Sequence, residues 1–225
     1  MTEPLKGLAP VKRAASLAES ARGELRAAVM AGRFEPGARL TVRSVAQALG
    51  VSFTPAREAL YGLVSEGALE TAASGTAVVP VLDEARVHEL LVIRQALECV
   101  AAREAVAHVD AAALTDLRAC HAALIEADRC GDYKRLMALN WQFHFAIYGA
   151  SEMPRLVRMI EGCWLQTGSY LNVIYPDYGR TDGGIRNHEA ILAALEAGDS
   201  DRLAEAIGRD IEMSGEALVK AIRAG

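Results

Sequence analysis

Gly50-Val51-Ser52-Phe53-Thr54-Pro55-Ala56-Arg57-Glu58-Ala59-Leu60 is the stretch that decides the fold of the N-terminal part of the chain. It follows a short helical pattern of apolar residues that Thr41 can cap, and Gly50 stands where a helix C-terminus favours glycine. It then begins a second helix whose first turns are polar and cationic. Two helices joined by a tight turn in this way can place the second one in the major groove of DNA. The sequence therefore predicts a helix-turn-helix.

Two short strands are predicted after the second helix. Leu69–Thr71 and Thr76–Val79 are strand-like and are joined through Ser74-Gly75. A hairpin at this place forms the wing of a winged helix. We therefore expect a winged helix-turn-helix domain over residues 16–80, preceded by a mobile, mildly basic tail over residues 1–15.

Charge separates the chain into two parts. The net charge is −5, but residues 1–80 hold nine Lys and Arg against seven Asp and Glu, so they carry +2, whereas residues 81–225 carry −7. The chain has no run of eighteen apolar residues and no apolar signal-peptide core, which predicts a cytoplasmic protein without a membrane span. The four cysteines lack CxxC spacing, which favours reduced thiols. Attraction to DNA phosphates must come from the placement of a few cations.

Residues 81–225 are predicted to form a helical domain. Aspartates that can cap helices precede several of the segments, and glycines interrupt the chain before two of them. The pattern predicts an antiparallel bundle of about six helices, and the protein is therefore mainly α. The predicted helices lie near residues 84–108, 111–130, 133–149, 153–174, 183–197 and 200–223.

Several of these helices place a polar group on an otherwise apolar face. Such groups are Arg94, His188 and Asp210, together with Asn140 and His144, which share one face because they are four residues apart. Buried charges without partners are costly, so these groups are easier to explain if they meet each other, a metal or a ligand. Two imidazoles and a carboxylate suit a divalent transition metal such as zinc, nickel or manganese. His121 also lies on an apolar face, and we interpret it as structural.

The N-terminal domain resembles the DNA-binding domain of GntR-family transcription regulators. The resemblance depends on GRFEPGARL at residues 32–40, the helix-turn-helix, and LVSEGAL at residues 63–69. It implies that Arg43, Thr54, Arg57 and the wing-tip Gly75 contact DNA. Phe53 stands where the family commonly has an arginine. It is expected to contact a thymine methyl group or to pack against the protein.

The C-terminal domain resembles the FCD domain, which is the effector domain of the FadR branch of this family. The matching motifs are RQALE at residues 94–98, NWQFH at 140–144 and HEAILAALEAGD at 188–199. The resemblance extends over residues 17–223.

The resemblance implies a metal and an effector. FCD domains often hold a metal with an acid or amide and three histidines. Here the ligands would be Asn140, where aspartate is commoner, His144, His188, and Asp210 at the position of the third histidine. The resemblance also implies a small organic acid as effector, and Arg94 can bind a carboxylate through two parallel hydrogen bonds. The alternative for Arg94 is an internal salt bridge to Asp210 or Glu98.

We interpret the chain as a ligand-responsive transcription regulator. It is expected to bind a pseudo-palindromic operator in double-stranded DNA as a homodimer, with an effector that changes the spacing of the two winged helices. Two other functions fit part of the pattern. One is a metal-dependent enzyme with Glu189 or Glu98 as base, although no nucleophile or oxyanion-stabilising group is evident. The other is a DNA-binding protein whose helical domain only dimerises.

Overall fold

The computed structural model describes residues 17–174 and 183–224, with backbone only for residues 169, 171–174 and 224. The predicted mobile tail lies outside these residues, as does most of the break in helical pattern predicted from residue 175 to 184. The described chain has an N-terminal part with short strands and a C-terminal part that is helical, which confirms the predicted fold class.

From residue 17, where the described chain begins, the N-terminal part contains three helices and a small sheet. The strands β1 (Arg39–Leu40), β2 (Glu70–Thr71) and β3 (Ala77–Val78) pair antiparallel in the order β1-β3-β2. Leu40 lies opposite Ala77, and Thr71 lies opposite the same residue on the other side. The hairpin of β2 and β3 is the predicted wing, whereas β1 was not predicted. In chain order the elements are α1 (Leu17–Met30), β1 (Arg39–Leu40), α2 (Val42–Leu49), α3 (Phe53–Ser65), β2 (Glu70–Thr71) and β3 (Ala77–Val78).

The helix-turn-helix forms for the local reasons that the sequence indicates. The Thr41 hydroxyl accepts a hydrogen bond from the Ser44 amide at 3.0 Å, and the Ser44 hydroxyl accepts one from the Thr41 amide at 3.1 Å. This reciprocal capping satisfies two amides at the start of α2. Gly50 ends α2 with φ of 64°, a left-handed conformation that glycine adopts without strain. The turn into α3 is therefore set by residues on both sides of α2.

Six helices form the C-terminal part over its described residues, 84–174 and 183–224. Each of Asp83, Asp110, Asp132 and Asp199 accepts a hydrogen bond from the amide three residues later, as predicted for helix caps. The bounds agree with the predicted ones to within three residues, the largest difference being the earlier end of α4. The helices are α4 (Glu84–Ala105), α5 (Ala111–Arg129), α6 (Tyr133–Ala150), α7 (Pro154–Ile174), α8 (Gly183–Ala197) and α9 (Ser200–Ala224).

The main core lies between the helices of the C-terminal part and includes Phe143, Ile147, Ile191 and Ile207. A second core fills the N-terminal part between α1, α2, α3 and the sheet. None of the helices in the described parts of the chain combines the length and apolarity that a bilayer span requires.

Helix α7 packs against both parts of the molecule. Its Leu165 is buried in the N-terminal core, and its Gly168 lies against α1, where an added Cβ would stand 3.1 Å from the Val29 carbonyl oxygen. Arg26 of α1 forms an ion pair of 2.8 Å with Glu161 of α7. The two parts are therefore joined by apolar contacts, by close backbone packing and by charge.

We predict that Gly168→Val destabilises the protein, because the new side chain meets backbone atoms of α1 that cannot move aside. Overpacking of this kind costs about 1–3 kcal/mol, and at about 2–4 °C per kcal/mol the melting temperature should fall by several degrees. Gly149→Val is the matched control, since Gly149 is also helical and a Cβ there meets nothing within 4 Å. Equal melting temperatures for the two variants would show that α1 and α7 are not packed as closely as described.

Candidate functional site

The predicted DNA-contacting residues are all exposed in the N-terminal part. Phe53 and Thr54 begin α3, and Arg57 follows one turn later; all three are exposed, Phe53 to 59%. Arg43 is exposed on α2, and Gly75 is exposed at the wing tip with φ of 78°. An exposed phenylalanine at the start of α3 does not contribute to the protein core. Of the two roles predicted for Phe53, its exposure favours contact with DNA.

A groove separates α3 from the wing and brings two of these residues together. Arg57 lines one side and Gly75 lines the other. Tyr61 also lines this groove and is 61% exposed, although sequence analysis did not select it. The signal was available, because Tyr61 is an aromatic residue four positions after Arg57 and so shares its helical face.

Three of the predicted metal ligands converge within the helical part. Nε2 of His144 on α6 lies 3.2 Å from Nε2 of His188 on α8 and 3.3 Å from Oδ2 of Asp210 on α9. One ligand atom from each residue lies within 4.8 Å of the others. The cluster is almost closed to solvent, since the His144 side chain is 1% exposed and that of Asp210 is 13% exposed.

Burial and mutual contact determine the charges in this cluster. Burial, with a smaller contribution from the neighbouring His144, lowers the pKa of His188 to about 3, so this imidazole is neutral at pH 7. Burial alone would raise the pKa of Asp210, but the hydrogen bond and charge of His144 lower it to about 2. The cluster therefore presents a carboxylate and at least one imidazole with a free lone pair.

Tyr148 fixes the orientation of the His144 ring. Its hydroxyl donates to Oε2 of Glu98 at 2.6 Å and lies 3.3 Å from Nδ1 of His144. A hydroxyl has one hydrogen, so toward His144 the Tyr148 oxygen accepts, and Nδ1 of His144 is the donor. Nε2 of His144 then either carries a proton toward Asp210 or offers a lone pair, which a cation or the Nε2–H of His188 can satisfy.

Glu98 is the centre of a second buried network beside the cluster. Its Oε1 accepts hydrogen bonds from Nε of Arg94 at 2.6 Å and from Nε1 of Trp164 at 3.0 Å, and Arg94 also lies over the Trp164 ring. Of the two internal partners considered for Arg94, the structure shows Glu98. Because Glu98 also accepts from Tyr148, three donors engage its carboxylate and it is unsuited to act as a base.

The residues present fit a divalent metal. Ligand atoms around a tetrahedral ion with bonds of about 2.0–2.1 Å lie about 3.3–3.4 Å apart. The two separations from Nε2 of His144 are 3.2 and 3.3 Å, and the three ligand atoms lie within 4.8 Å of one another. A cation would satisfy the lone pairs and the carboxylate together. Asn140, the fourth predicted ligand, lies one turn before His144 on α6 and is partly exposed.

Asn187 is a contributor that sequence analysis missed. Its Nδ2 donates to Oδ1 of Asp210 at 3.1 Å and to the Ala206 carbonyl oxygen at 2.9 Å, so it orients the carboxylate. Nothing in the sequence distinguishes this residue from a surface asparagine, because both of its hydrogen-bond partners lie on α9 and are seen only when the helices are packed.

Comparison with known proteins agrees with both parts of the structure. Residues 17–79 match the bacterial regulatory proteins of the gntR family, and residues 89–213 match the FCD domain. The chain is 35% identical over 188 residues to the HTH-type transcriptional regulator McbR of Escherichia coli K12, covering 83% of this chain and 85% of that protein. It is 31% identical to a probable D-xylose utilization operon transcriptional repressor of Paenarthrobacter nicotinovorans, covering 76% and 74%.

A solved structure of E. coli McbR is also similar. It superposes with a TM-score of 0.84 at 31% identity over 92% of this chain and 99% of that one. A winged helix-turn-helix joined to a helical domain with an internal polar site defines a transcription regulator, and the matched families and relatives are regulators rather than enzymes. The chain belongs to the gntR family of bacterial regulatory proteins and contains an FCD effector domain.

We predict that Arg57→Ala weakens binding to every duplex sequence and lowers the slope of log affinity against log salt by about one unit, because one phosphate contact is lost. Arg118→Ala is the matched control, since Arg118 is an exposed arginine on α5, paired with Glu196 in the helical part. Fluorescence anisotropy titrations at several salt concentrations measure both. An unchanged slope for Arg57→Ala would remove this residue from the DNA contacts.

Proposed function

We propose that this protein is a cytoplasmic homodimer of the FadR branch, which binds a pseudo-palindromic operator and responds to a small carboxylate held at a metal site. The metal is a divalent transition ion, zinc, nickel or manganese, with His144, His188 and Asp210 as ligands and Asn140 beside them. The convergence of three ligand atoms from three helices is the observation that supports this proposal most directly.

Charge supports a carboxylate as the effector. Arg94 and Glu98 neutralise each other, and Asp210 neutralises half of a divalent cation, so the filled site has a net positive charge. An anion would restore neutrality. Glu98 occupies two of the five N–H donors of the Arg94 guanidinium, which leaves others for a ligand oxygen. Arg94 is therefore proposed to bind both Glu98 and the effector.

Helix α7 offers a physical connection from this site to the DNA-binding domain. Trp164 of α7 donates to Glu98, and the next residue, Leu165, is buried in the N-terminal core. Arg26 pairs with Glu161 of α7 and lies 3.7 Å from Glu66, the C-cap residue that follows α3. A ligand that moves Arg94 or Glu98 would therefore act on a helix that contacts both α1 and the end of α3.

An exposed apolar stripe on α4 supports the homodimer. Val92 and Val100 are 52% and 42% exposed, and Ile93 and Ala96 are also exposed. The stripe has a two-fold pattern about Ala96: Val92 and Val100 lie four residues on either side, and Glu89 and Arg103 lie seven. If two copies of α4 cross antiparallel at Ala96, Val92 meets Val100 and Glu89 meets Arg103 of the second copy.

We predict one divalent metal per chain after purification without chelator or nickel resin, measured by elemental analysis. His188→Ala should lose the metal and lower the melting temperature, because an ion that binds only the native state at 100 times its Kd adds about 2.7 kcal/mol of stability. His108→Ala is the control, since His108 is exposed and distant from the cluster in sequence.

The same protein tests the response to effector. Operator affinity is measured with small mono-, di- and tricarboxylates, each with and without chelator. Full metal content with no effect of any carboxylate would contradict the effector. Repeated reconstitution without bound metal would contradict the metal site. Failure of both would favour a helical domain that only dimerises.

The α4 interface leads to a charge-exchange prediction. Glu89→Arg and Arg103→Glu should each weaken the dimer about tenfold through repulsion across the two-fold axis, and the double variant should recover most of the loss. Arg103 also forms an exposed pair with Asp201 of its own chain, so Arg118→Glu, which breaks a similar exposed pair, is the control. Analytical ultracentrifugation over a concentration series gives the dissociation constants. Single and double variants that dissociate alike would show that α4 does not form this contact.

A further inference from the structure

The remaining buried imidazole of the helical domain, His121 on α5, is not explained by packing alone. The residue is 6% exposed, and neither ring nitrogen has a hydrogen-bond partner within the described parts of the chain. An imidazole loses its hydration on burial, and an unpaired nitrogen regains nothing for that loss. A leucine or phenylalanine would fill the same space without this cost. The position therefore suggests a use for a ring nitrogen.

His188 has a ring nitrogen in the same situation. Its Nδ1 is also buried without a partner among the described residues, and the rings of His121 and His188 lie with centroids 5.6 Å apart at 60°. Phe143 stacks on the His188 ring at 4.3 Å and also borders His121 at 6.1 Å. Two unpaired imidazoles thus lie side by side against one apolar ring.

The other two candidate ligands each have a partner that orients them. Nδ1 of His144 is held by Tyr148, and Oδ1 of Asp210 is held by Asn187. A histidine that binds a metal through one nitrogen almost always donates its other N–H to an acceptor, which fixes the tautomer and the ring orientation. His188 is the member of this set whose second atom lacks such a partner in the described structure.

We propose that His121 is the acceptor for the Nδ1–H of His188, either directly after rotation of the His121 ring or through one bridging water. The hydrogen bond would keep the lone pair of His188 on Nε2, which faces His144 and Asp210. A neutral imidazole has one N–H and one lone pair, so the ring of His121 has an acceptor nitrogen to offer. His121 is then a positioning residue of the metal site, and this role depends on the metal site proposed above.

The proposed hydrogen bond orients both rings. It therefore predicts that substitutions of His121 with and without an acceptor atom differ in their effect on metal affinity. Glutamine at position 121 keeps an acceptor oxygen, whereas leucine has similar bulk and no acceptor. A purely structural role for His121 predicts that both substitutions act alike, or that leucine is the better replacement. A positioning role predicts that glutamine preserves metal affinity and leucine does not.

The test compares zinc affinity in full-length wild type, His121→Gln, His121→Leu and Leu117→Ala, by competition with a chromophoric chelator. We expect His121→Leu to weaken zinc binding 10- to 100-fold and His121→Gln to remain close to wild type. Leu117 lies one turn earlier on α5 in the main core, so Leu117→Ala controls for lost packing. It should lower the melting temperature with little change in zinc affinity.

Equal zinc affinity in wild type and His121→Leu would overturn the role of His121 while leaving the metal site intact. So would equal weakening by glutamine and leucine. A wild type that binds no zinc would overturn the metal site itself, and with it this inference. Nitrogen-15 NMR of zinc-loaded wild type provides a second measurement that needs no variant. A protonated Nδ1 on His188 with an acceptor nitrogen on His121 is expected, and a His188 protonated at Nε2 would contradict it.

Discussion

The carboxylate of Glu98 is the constraint on which the helical domain depends. It is fully buried and accepts hydrogen bonds from Arg94 on its own helix, Tyr148 on α6 and Trp164 on α7. A buried carboxylate is costly unless it is paired and hydrogen-bonded, and here each oxygen has at least one donor. Loss of Arg94 would leave the charge uncompensated, and loss of Tyr148 or Trp164 would leave a buried oxygen with fewer hydrogen bonds, so α4, α6 and α7 are held in one relative arrangement. That arrangement also positions His144 and presents α7 to the N-terminal domain.

Local signals in the sequence predicted most of the fold. Asp110, Asp132 and Asp199 cap helices where expected, and Gly50 ends α2, because capping and glycine conformations depend on a few adjacent residues. Strand β1 was missed because two residues show no alternation, and its pairing with β3 is a contact between segments distant in the chain. The sequence shows that Arg94 lies on the apolar face of α4. It does not show which carboxylate pairs with Arg94, because both Asp210 and Glu98 are sterically possible partners until the helices are packed.

The candidate site divides in the same way. His144, His188 and Asp210 could be selected individually because each interrupts an apolar face, and the structure brings their ligand atoms within 4.8 Å. Tyr148 and Asn187, which orient two of them, could not be selected, because their roles depend on which groups oppose them. His121 was noticed on an apolar face but interpreted as structural, because its neighbours on other helices are not visible in the sequence. Tyr61 is intermediate: its helical face was predictable, while its proximity to the wing required the tertiary structure. The sequence therefore identifies the candidate ligands more readily than the residues that orient them.

The arrangement of polar groups explains why such a domain can serve as a sensor. An apolar bundle of the same size would be more stable, because buried polar clusters add desolvation cost and partly unpaired atoms add more. His188 and Asp210 both lose stability contributions on acidification: the pKa of His188 is below its ordinary value, so protonation favours the unfolded chain below about pH 6.5, and Asp210 acts in the same direction at lower pH. The charge states of these buried groups depend on their neighbours, so they are groups through which a cation or anion can stabilise one arrangement over another. Helix α7 connects these groups to the core of the winged helix, so the proposed metal and effector would act on the helix that joins the two domains.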